Sequence, residues 1–271
     1  YLFNGGVLSL PSSHQFDQLF SQHANEITSD FKIVGSELAD SLNLNINRSG
    51  SAETISGDYT FSMGDGNDSI ASARFKNGDS IDMGAGDDVV SLYVTNSLGT
   101  PSYASLNMTK LDGGLGTDTL SFGDMGSQGS TELTLTHGGA TNFENIDGTS
   151  GDSIIRGDTG ANSLRGSGGT DTIYGGSGDD SLSASFNWNS QYDSTSNRIS
   201  AANDSSNDTD DKLYGEAGND LLIGTVGDNI LDGGTGADTI YSGSGSDTIV
   251  LRVGDGGSTL ADADTITDFA D

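Results

Sequence analysis

GEAGNDLLI (Gly215–Ile223), GTVGDNILD (Gly224–Asp232), GGTGADTIY (Gly233–Tyr241) and SGSGSDTIV (Ser242–Val250) follow one another without a gap, and SNDTDDKLY (Ser206–Tyr214) precedes them in frame. An earlier block, Gly148 to Ser183, reads GTSGDSIIR, GDTGANSLR, GSGGTDTIY and GGSGDDSLS. Both obey the nine-residue rule G-G-x-G-x-D-x-U-x, in which U is a large apolar residue. Glycines at positions 1, 2 and 4 let the backbone turn tightly through positive φ, where a Cβ would clash. A carboxylate at position 6 ends the turn, and x-U-x is a short strand with U on one face and its neighbours on the other. Ile155, Leu164, Ile173, Leu182, Leu213, Leu222, Leu231, Ile240 and Ile249 fill U and are expected to form inward rows. Two units make one coil of eighteen residues, so position 6 stacks on position 6 two repeats later. The expected fold is all-β, a parallel solenoid.

The stacked pairs eighteen residues apart include Asp220 with Asp238, Asp211 with Asn229, Asn229 with Asp247, and Asn162 with Asp180. Two carboxylates one strand spacing apart repel and call for a cation between them. Turn carbonyls complete an all-oxygen cage, which suits calcium rather than zinc or copper; magnesium keeps its waters and rarely fills such cages. The alternative, that Asp and Gly merely mark surface turns, serves for one repeat but not for nine in two unbroken frames.

These motifs resemble the hemolysin-type, or RTX, calcium-binding nonapeptide family. The resemblance implies a right-handed parallel β-roll holding several calcium ions through position 6 aspartates and the carbonyls of positions 2 and 4. On this chain the implied ligands are Gly176, Gly178 and Asp180; Gly234, Gly236 and Asp238; Glu216, Gly218 and Asp220; Gly169 and Asp171; and Asp211 and Asp247. Asn162 and Asn229 keep an oxygen but lose charge, so weaker sites are expected there. Ser153 takes position 6 beneath Asp171 and departs from the pattern.

The repeat extends raggedly toward the N-terminus. TISGDYTFS, MGDGNDSIA, RFKNGDSID and MGAGDDVVS occupy Thr54 to Ser91, interrupted by Ser72 and Ala73, and add Gly64, Gly66, Asp68, Asp79, Gly84, Gly86 and Asp88. Asp68 and Asp88 still stack if those two residues bulge outward. GGLGTDTLS (Gly113–Ser121) adds Asp118, and GSELADSLN (Gly35–Asn43) is a candidate first copy. In the tail, Asp264 and Asp268 flank Ile266 as D-x-I-x-D-F, either ligands for a final calcium or an acidic strand facing solvent.

The resulting division is an N-terminal cap (1–53), a first repeat region (54–121), an irregular or strand insertion (122–147), a second block (148–183), a polar insertion (184–205), a third block (206–250) and a closing segment (251–271). Phe16, Leu19, Phe20 and Ile27 are spaced for a short capping helix, the kind of end an open solenoid requires. The run TELTLT suits a strand, and Trp188 with Phe186 and Tyr192 suits a local packing cluster.

Composition agrees. The 271 residues carry a formal charge of −30, 41 glycines, two prolines and no cysteine. A narrow roll buries little apolar surface, and this charge opposes compaction, so metal binding is expected to supply folding energy and the metal-free chain to be largely unfolded. Extracellular calcium modules bind at about 10⁻⁴–10⁻³ M, far above cytosolic levels. The resemblance implies export by type I secretion from a Gram-negative bacterium, to the extracellular medium or cell surface. No signal peptide or apolar span of ~20 residues is visible, and the chain starts at Tyr1 without methionine, as expected of a processed product or a segment. Strong acidity argues against nucleic acid. Neither H-E-x-x-H nor G-x-S-x-G occurs, and His14, His23 and His137 are scattered, so no enzyme is expected. Two readings remain: a calcium-stabilised surface layer, sheath or adhesin protein that self-associates, or the secretion and folding module of a larger toxin or hydrolase.

Overall fold

The structure, a computed structural model, describes residues 7–9, 15–17, 31–43, 58–73, 78–92, 110–122, 131–134, 140–148, 151–185, 192–193, 198–199, 210–256 and 259–268. Among them there is no α-helix, and the chain divides into two compact units, residues 1–125 with 135–145, and residues 126–134 with 146–271.

In the first unit the strands are β1 (Val7–Ser9), β2 (Gln15–Asp17), β3 (Phe31–Val34), β4 (Ser41–Asn43), β5 (Tyr59–Ser62), β6 (Ser69–Ala73), β7 (Ser80–Asp82), β8 (Val89–Leu92), β9 (Lys110–Asp112) and β10 (Thr119–Phe122). Odd strands pair with odd and even with even, always in parallel, so the chain alternates between two ladders. This is the arrangement of a parallel β-roll. Ile33, Phe61, Ile81 and Leu111 lie in register on one ladder, and Leu42, Ile70, Val90 and Leu120 on the other, all buried. The Ser72–Ala73 interruption is taken up as a register shift at the end of β6, after which Ala73 pairs with Leu92. Gln15–Asp17 is a strand where the apolar spacing predicted helix; the rest of that stretch lies outside the described residues.

The chain enters the second unit through β12 (Asn145–Asp147), after an earlier strand of that unit, β11 (Thr131–Thr134). There follow β13 (Ser153–Arg156), β14 (Ser163–Ser167), β15 (Thr172–Ser177), β16 (Ser181–Ser185), β17 (Tyr192–Asp193), β18 (Arg198–Ile199), β19 (Lys212–Ala217), β20 (Leu221–Ile223), β21 (Ile230–Thr235), β22 (Thr239–Tyr241), β23 (Thr248–Val250) and β24 (Thr265–Ile266). One parallel ladder runs β11–β13–β15–β19–β21–β23 and the other β14–β16–β20–β22–β24. Ile155, Ile173, Leu213 and Leu231 stack on the first, and Leu164, Leu182, Leu222 and Ile240 on the second, each 0% exposed. Ile249, in the last strand of its ladder, is half-buried because no described strand covers it. The polar insertion leaves the roll between β16 and β19 and contains the antiparallel pair β17–β18, while Ile173 pairs directly with Leu213 across the gap. Trp188 and Phe186 lie outside the described residues.

On the outward side of β13, β15 and β19, Arg156 lies 4.0 Å over the ring of Tyr174, which stacks on Tyr214 at 5.0 Å. Other cations are spent on outward carboxylates, Arg165 on Asp147 and Arg252 on Asp232. Within these blocks little positive charge is left to neutralise the turns.

Candidate metal-binding turns

Within the repeats a strand is entered through a six-residue turn, whose shape the motif fixes by sterics. At position 1 the constraint is the turn's own carboxylate: a Cβ built on Gly166, Gly175, Gly215 or Gly233 would lie 1.9–2.5 Å from Oδ2 of Asp171, Asp180, Asp220 or Asp238 respectively. At positions 2 and 4 the constraint is conformation and stacking together. Gly234 (φ +98°) and Gly236 (φ +140°) approach the carbonyl oxygens of Glu216 and Gly218 so closely that a Cβ would sit 2.1 and 1.7 Å away. The same φ sign recurs at Gly64, Gly66, Gly84, Gly86, Gly169, Gly176, Gly178 and Gly218, and is forced on Glu216 (φ +76°). Turn carbonyls are thereby held in columns.

Position 6 forms a second column, in which the aspartates, and Asn229, accept a hydrogen bond from the backbone of the coil before them. Asp238 Oδ1 accepts from Asp220 N (2.9 Å), Asp220 from Asp180 N (2.8 Å) and Asp180 from Asn162 N (2.8 Å). On the other ladder Asp247 accepts from Asn229 N, Asn229 from Asp211 N, Asp211 from Asp171 N and Asp171 from Ser153 N, all at 2.6–2.9 Å. In the first unit Asp118 accepts from Asp88 N, Asp88 from Asp68 N and Asp68 from Asp40 N. One oxygen per carboxylate is thus used. The other, Oδ2 of Asp68, Asp88, Asp118, Asp180, Asp220 and Asp238, is buried and has no hydrogen-bond partner.

A buried carboxylate oxygen without a partner costs free energy, and stacking such groups adds repulsion. Burial pushes Asp68 and Asp180 up to about 7, and Asp118 and Asp220 to about 6; the backbone N–H bond opposes this and the neighbouring carboxylates of the column add to it. Asp88 and Asp238 are raised as well, again mainly by burial. Each position therefore calls for a proton or a cation.

What faces these oxygens is visible at a turn where an amide stands in with its nitrogen inward. Asn229 Nδ2 donates to the carbonyls of Gly224 (2.8 Å), Gly227 (3.2 Å) and Val226 (3.4 Å), positions 1, 4 and 3 of its own turn. The cradle is thus a ring of carbonyl oxygens. With a carboxylate oxygen in place of the amide nitrogen it becomes an all-oxygen donor set for a hard cation, and calcium fits. Carbonyls of position 2 are already engaged: Gly64 O accepts from Ala85 N, Gly84 O from Leu115 N and Thr225 O from Ser244 N. Each keeps only its second lone pair for a metal. Among the described residues no three His, Cys, Asp or Glu side chains converge, so backbone oxygens must supply most of any ligand set.

The remaining candidates divide. Asp79, fully buried, accepts from Tyr59 N (2.8 Å) and stacks as expected. Asp264 accepts from Asp238 N at 3.1 Å and continues the column. Asp268 instead clamps the turn Ser242–Asp247, its two oxygens accepting from Ser242 N and Gly243 N at 2.8 Å each. The structure adds two position 6 carboxylates, Asp40 and Glu144, beyond the candidate ligands. Asp40 takes Ser36 N and Oγ on its own Oδ2, and Glu144 accepts from Asp118 N at 2.7 Å. Glu144 belongs to Gly139–Asp147, GATNFENID, which abuts Gly148 in the frame of the second block; Ile146 at its U position was the available signal. A further ladder at position 5 runs in the opposite direction, with Asp179 accepting from Asn219 N and Asn219 from Ala237 N, both at 2.9 Å.

Comparison with known families finds the RTX calcium-binding nonapeptide repeat in four copies, at residues 147–182, 205–231, 214–249 and 223–257, together about a third of the chain. No curated protein matches the chain. The matched residues hold turns in which carboxylate, glycine and carbonyl columns are built: residues 147–182 and 205–257 of this chain carry RTX calcium-binding nonapeptide repeats, and their described strands form a parallel β-roll.

Proposed function

We propose that this is an extracellular structural or interaction protein, of surface-layer, sheath or adhesin type, that folds when calcium fills its turns after secretion. The observation that carries the reading is the set of buried, unpartnered Oδ2 atoms, repeated in column along the chain. It supports calcium on turns of both units, since Asp68, Asp88 and Asp118 in the first repeat the arrangement of Asp180, Asp220 and Asp238 in the second. The RTX repeat is that of calcium-binding, secreted-type proteins, typically of Gram-negative bacteria. No helix among the described residues is long and apolar enough to cross a membrane.

The chain's own residues perform the coupling. The apolar rows define where each strand packs, but closing a turn buries a carboxylate against carbonyls, and the −30 charge resists it. Calcium, when bound, supplies the positive charge that closes the turn, and its binding energy becomes folding energy. The role is scaffolding and non-catalytic; the repeat motif already accounts for most of the carboxylates. Calcium titration from chelator into the millimolar range, followed by far-UV circular dichroism and light scattering with magnesium as control, tests this. A calcium-specific coil-to-β transition followed by rising scatter is expected. β structure that is complete in chelator and indifferent to calcium would overturn the reading, and folding without scatter would remove the assembling role.

A further inference from the structure

Position 6 is not chemically uniform, and its two amides are turned oppositely: Asn162 points its oxygen into the turn, Oδ1 accepting from Asp158 N at 2.9 Å and lying 2.4 Å from a Cβ built on Gly157, whereas Asn229 does the reverse. Asn229 Oδ1 accepts from Asp211 N at 2.9 Å, which fixes the amide: the atom turned into the turn is the nitrogen, and it donates to three carbonyls. It occupies the place that the unpartnered Oδ2 takes in Asp220 and Asp238. A Cβ on Gly224 would lie 3.0 Å from Asn229 Nδ2, as one on Gly215 would lie 2.3 Å from Asp220 Oδ2. The backbone is also the same, with Thr225 at position 2 held at φ +63° and buried. An amide N–H group aimed at the carbonyl ring does electrostatically what a cation would do, and it blocks the space. Ser153 answers the same need differently, its Oγ donating to Gly151 O, the position 4 carbonyl, at 3.1 Å.

We infer that the turn Gly224–Asn229 closes without calcium, the Asn229 amide nitrogen standing in the place of the ion, and that the atom position 6 turns inward decides turn by turn where calcium goes. Asn229 is then not a weak ligand but a replacement for the metal. Resting on the calcium reading, this divides the turns into those that need the ion, such as Gly215–Asp220, and those that carry their own donor.

Calcium content per chain, measured by elemental analysis of protein at equilibrium dialysis in millimolar calcium against its dialysate, tests the assignment on the full chain. Asn229→Asp is expected to bind one ion more than wild type, and Asp220→Asn one fewer while keeping its β signal. Equal content in wild type and Asn229→Asp, with both folded, would overturn the inference. If Asn229→Asp does not fold, Asp220→Asn decides: unchanged content there overturns it too. A wild-type protein that retains no calcium would sink the calcium reading itself, a different outcome from equal, non-zero counts.

Discussion

Two glycines at the same repeat position should respond oppositely to alanine. Gly236 and Gly160 both occupy position 4, in GGTGADTIY and GDTGANSLR. At Gly236, φ is +140° and a Cβ would lie 1.7 Å from Gly218 O, so the coils must part by about 1.3 Å to restore contact near 3.0 Å. Two bonds hold that joint, Gly218 N to Thr235 O at 3.0 Å and Ala237 N to Asn219 Oδ1 at 2.9 Å. Forcing the left-handed backbone on alanine costs about 1–3 kcal/mol, and losing one inter-coil hydrogen bond about 0.5–1.5 kcal/mol, so Gly236→Ala should lose about 1.5–4.5 kcal/mol. At Gly160 φ is not positive and the nearest atom, Asp158 Oδ1, would be 3.4 Å away. There alanine only restricts the unfolded chain and should gain about 0.4–1 kcal/mol. Equilibrium urea unfolding in saturating calcium, followed by circular dichroism, reads the difference. With a slope of about 2 kcal/mol per M, the Gly236→Ala midpoint should fall by about 1–2 M while that of Gly160→Ala holds or rises. Equal midpoints for the two variants would refute the claim that stacked carbonyls, rather than the motif as such, demand glycine.

Acid should partly replace calcium. Asp68 and Asp180 are raised to about 7 in the fold against about 3.9 unfolded, so the folded chain binds more protons in that window; metal-free stability falls as pH rises through it and is recovered as pH drops. In chelator, β signal should therefore grow between pH 8 and pH 5, while the calcium midpoint at pH 5 should lie above that at pH 7; an apo signal flat with pH would count against the buried carboxylates. Leu222→Ala, in the row Leu182–Leu222–Ile240, should cost about 2–5 kcal/mol in the same urea assay, through transfer and cavity terms together. Asp268→Ala should loosen the turn Ser242–Asp247, seen as faster amide exchange at Ser242 and Gly243, with the exchange of Gly176 unchanged.

Legibility followed physical type. The U rows and the position 6 stacks could be read because each needs one residue class at one spacing, and Leu164–Leu182–Leu222–Ile240 align as that spacing requires. GATNFENID was obscured because Asn142, at φ +54°, takes the turn position that glycine marks elsewhere. Gln15–Asp17 misled because a short apolar run fits either period, and pairing with β4 decides it. The position 5 ladder of Asp179 and Asn219 exists only once coils are stacked. Asn229 is the hardest case. Its letter is the same whether oxygen or nitrogen faces the cradle, and only the N–H of Asp211, eighteen residues earlier, chooses.

That choice bears on why the columns mix residues at all. A column built wholly of asparagine would carry its own donors and fold wherever the chain found itself. One built wholly of aspartate would place every coil under calcium control and stack the full repulsion of its carboxylates. In a solenoid each coil contacts only its neighbours, so stability is a sum of local terms and can be apportioned coil by coil. Asn229 lies between Asp211 and Asp247 in its column, accepting from one and donating its backbone N–H to the other. A self-closed turn there interrupts the run of like charges without interrupting the ladder. Position 6 thus sets two quantities at once, how many ions the folded chain needs and how much of its stability depends on them.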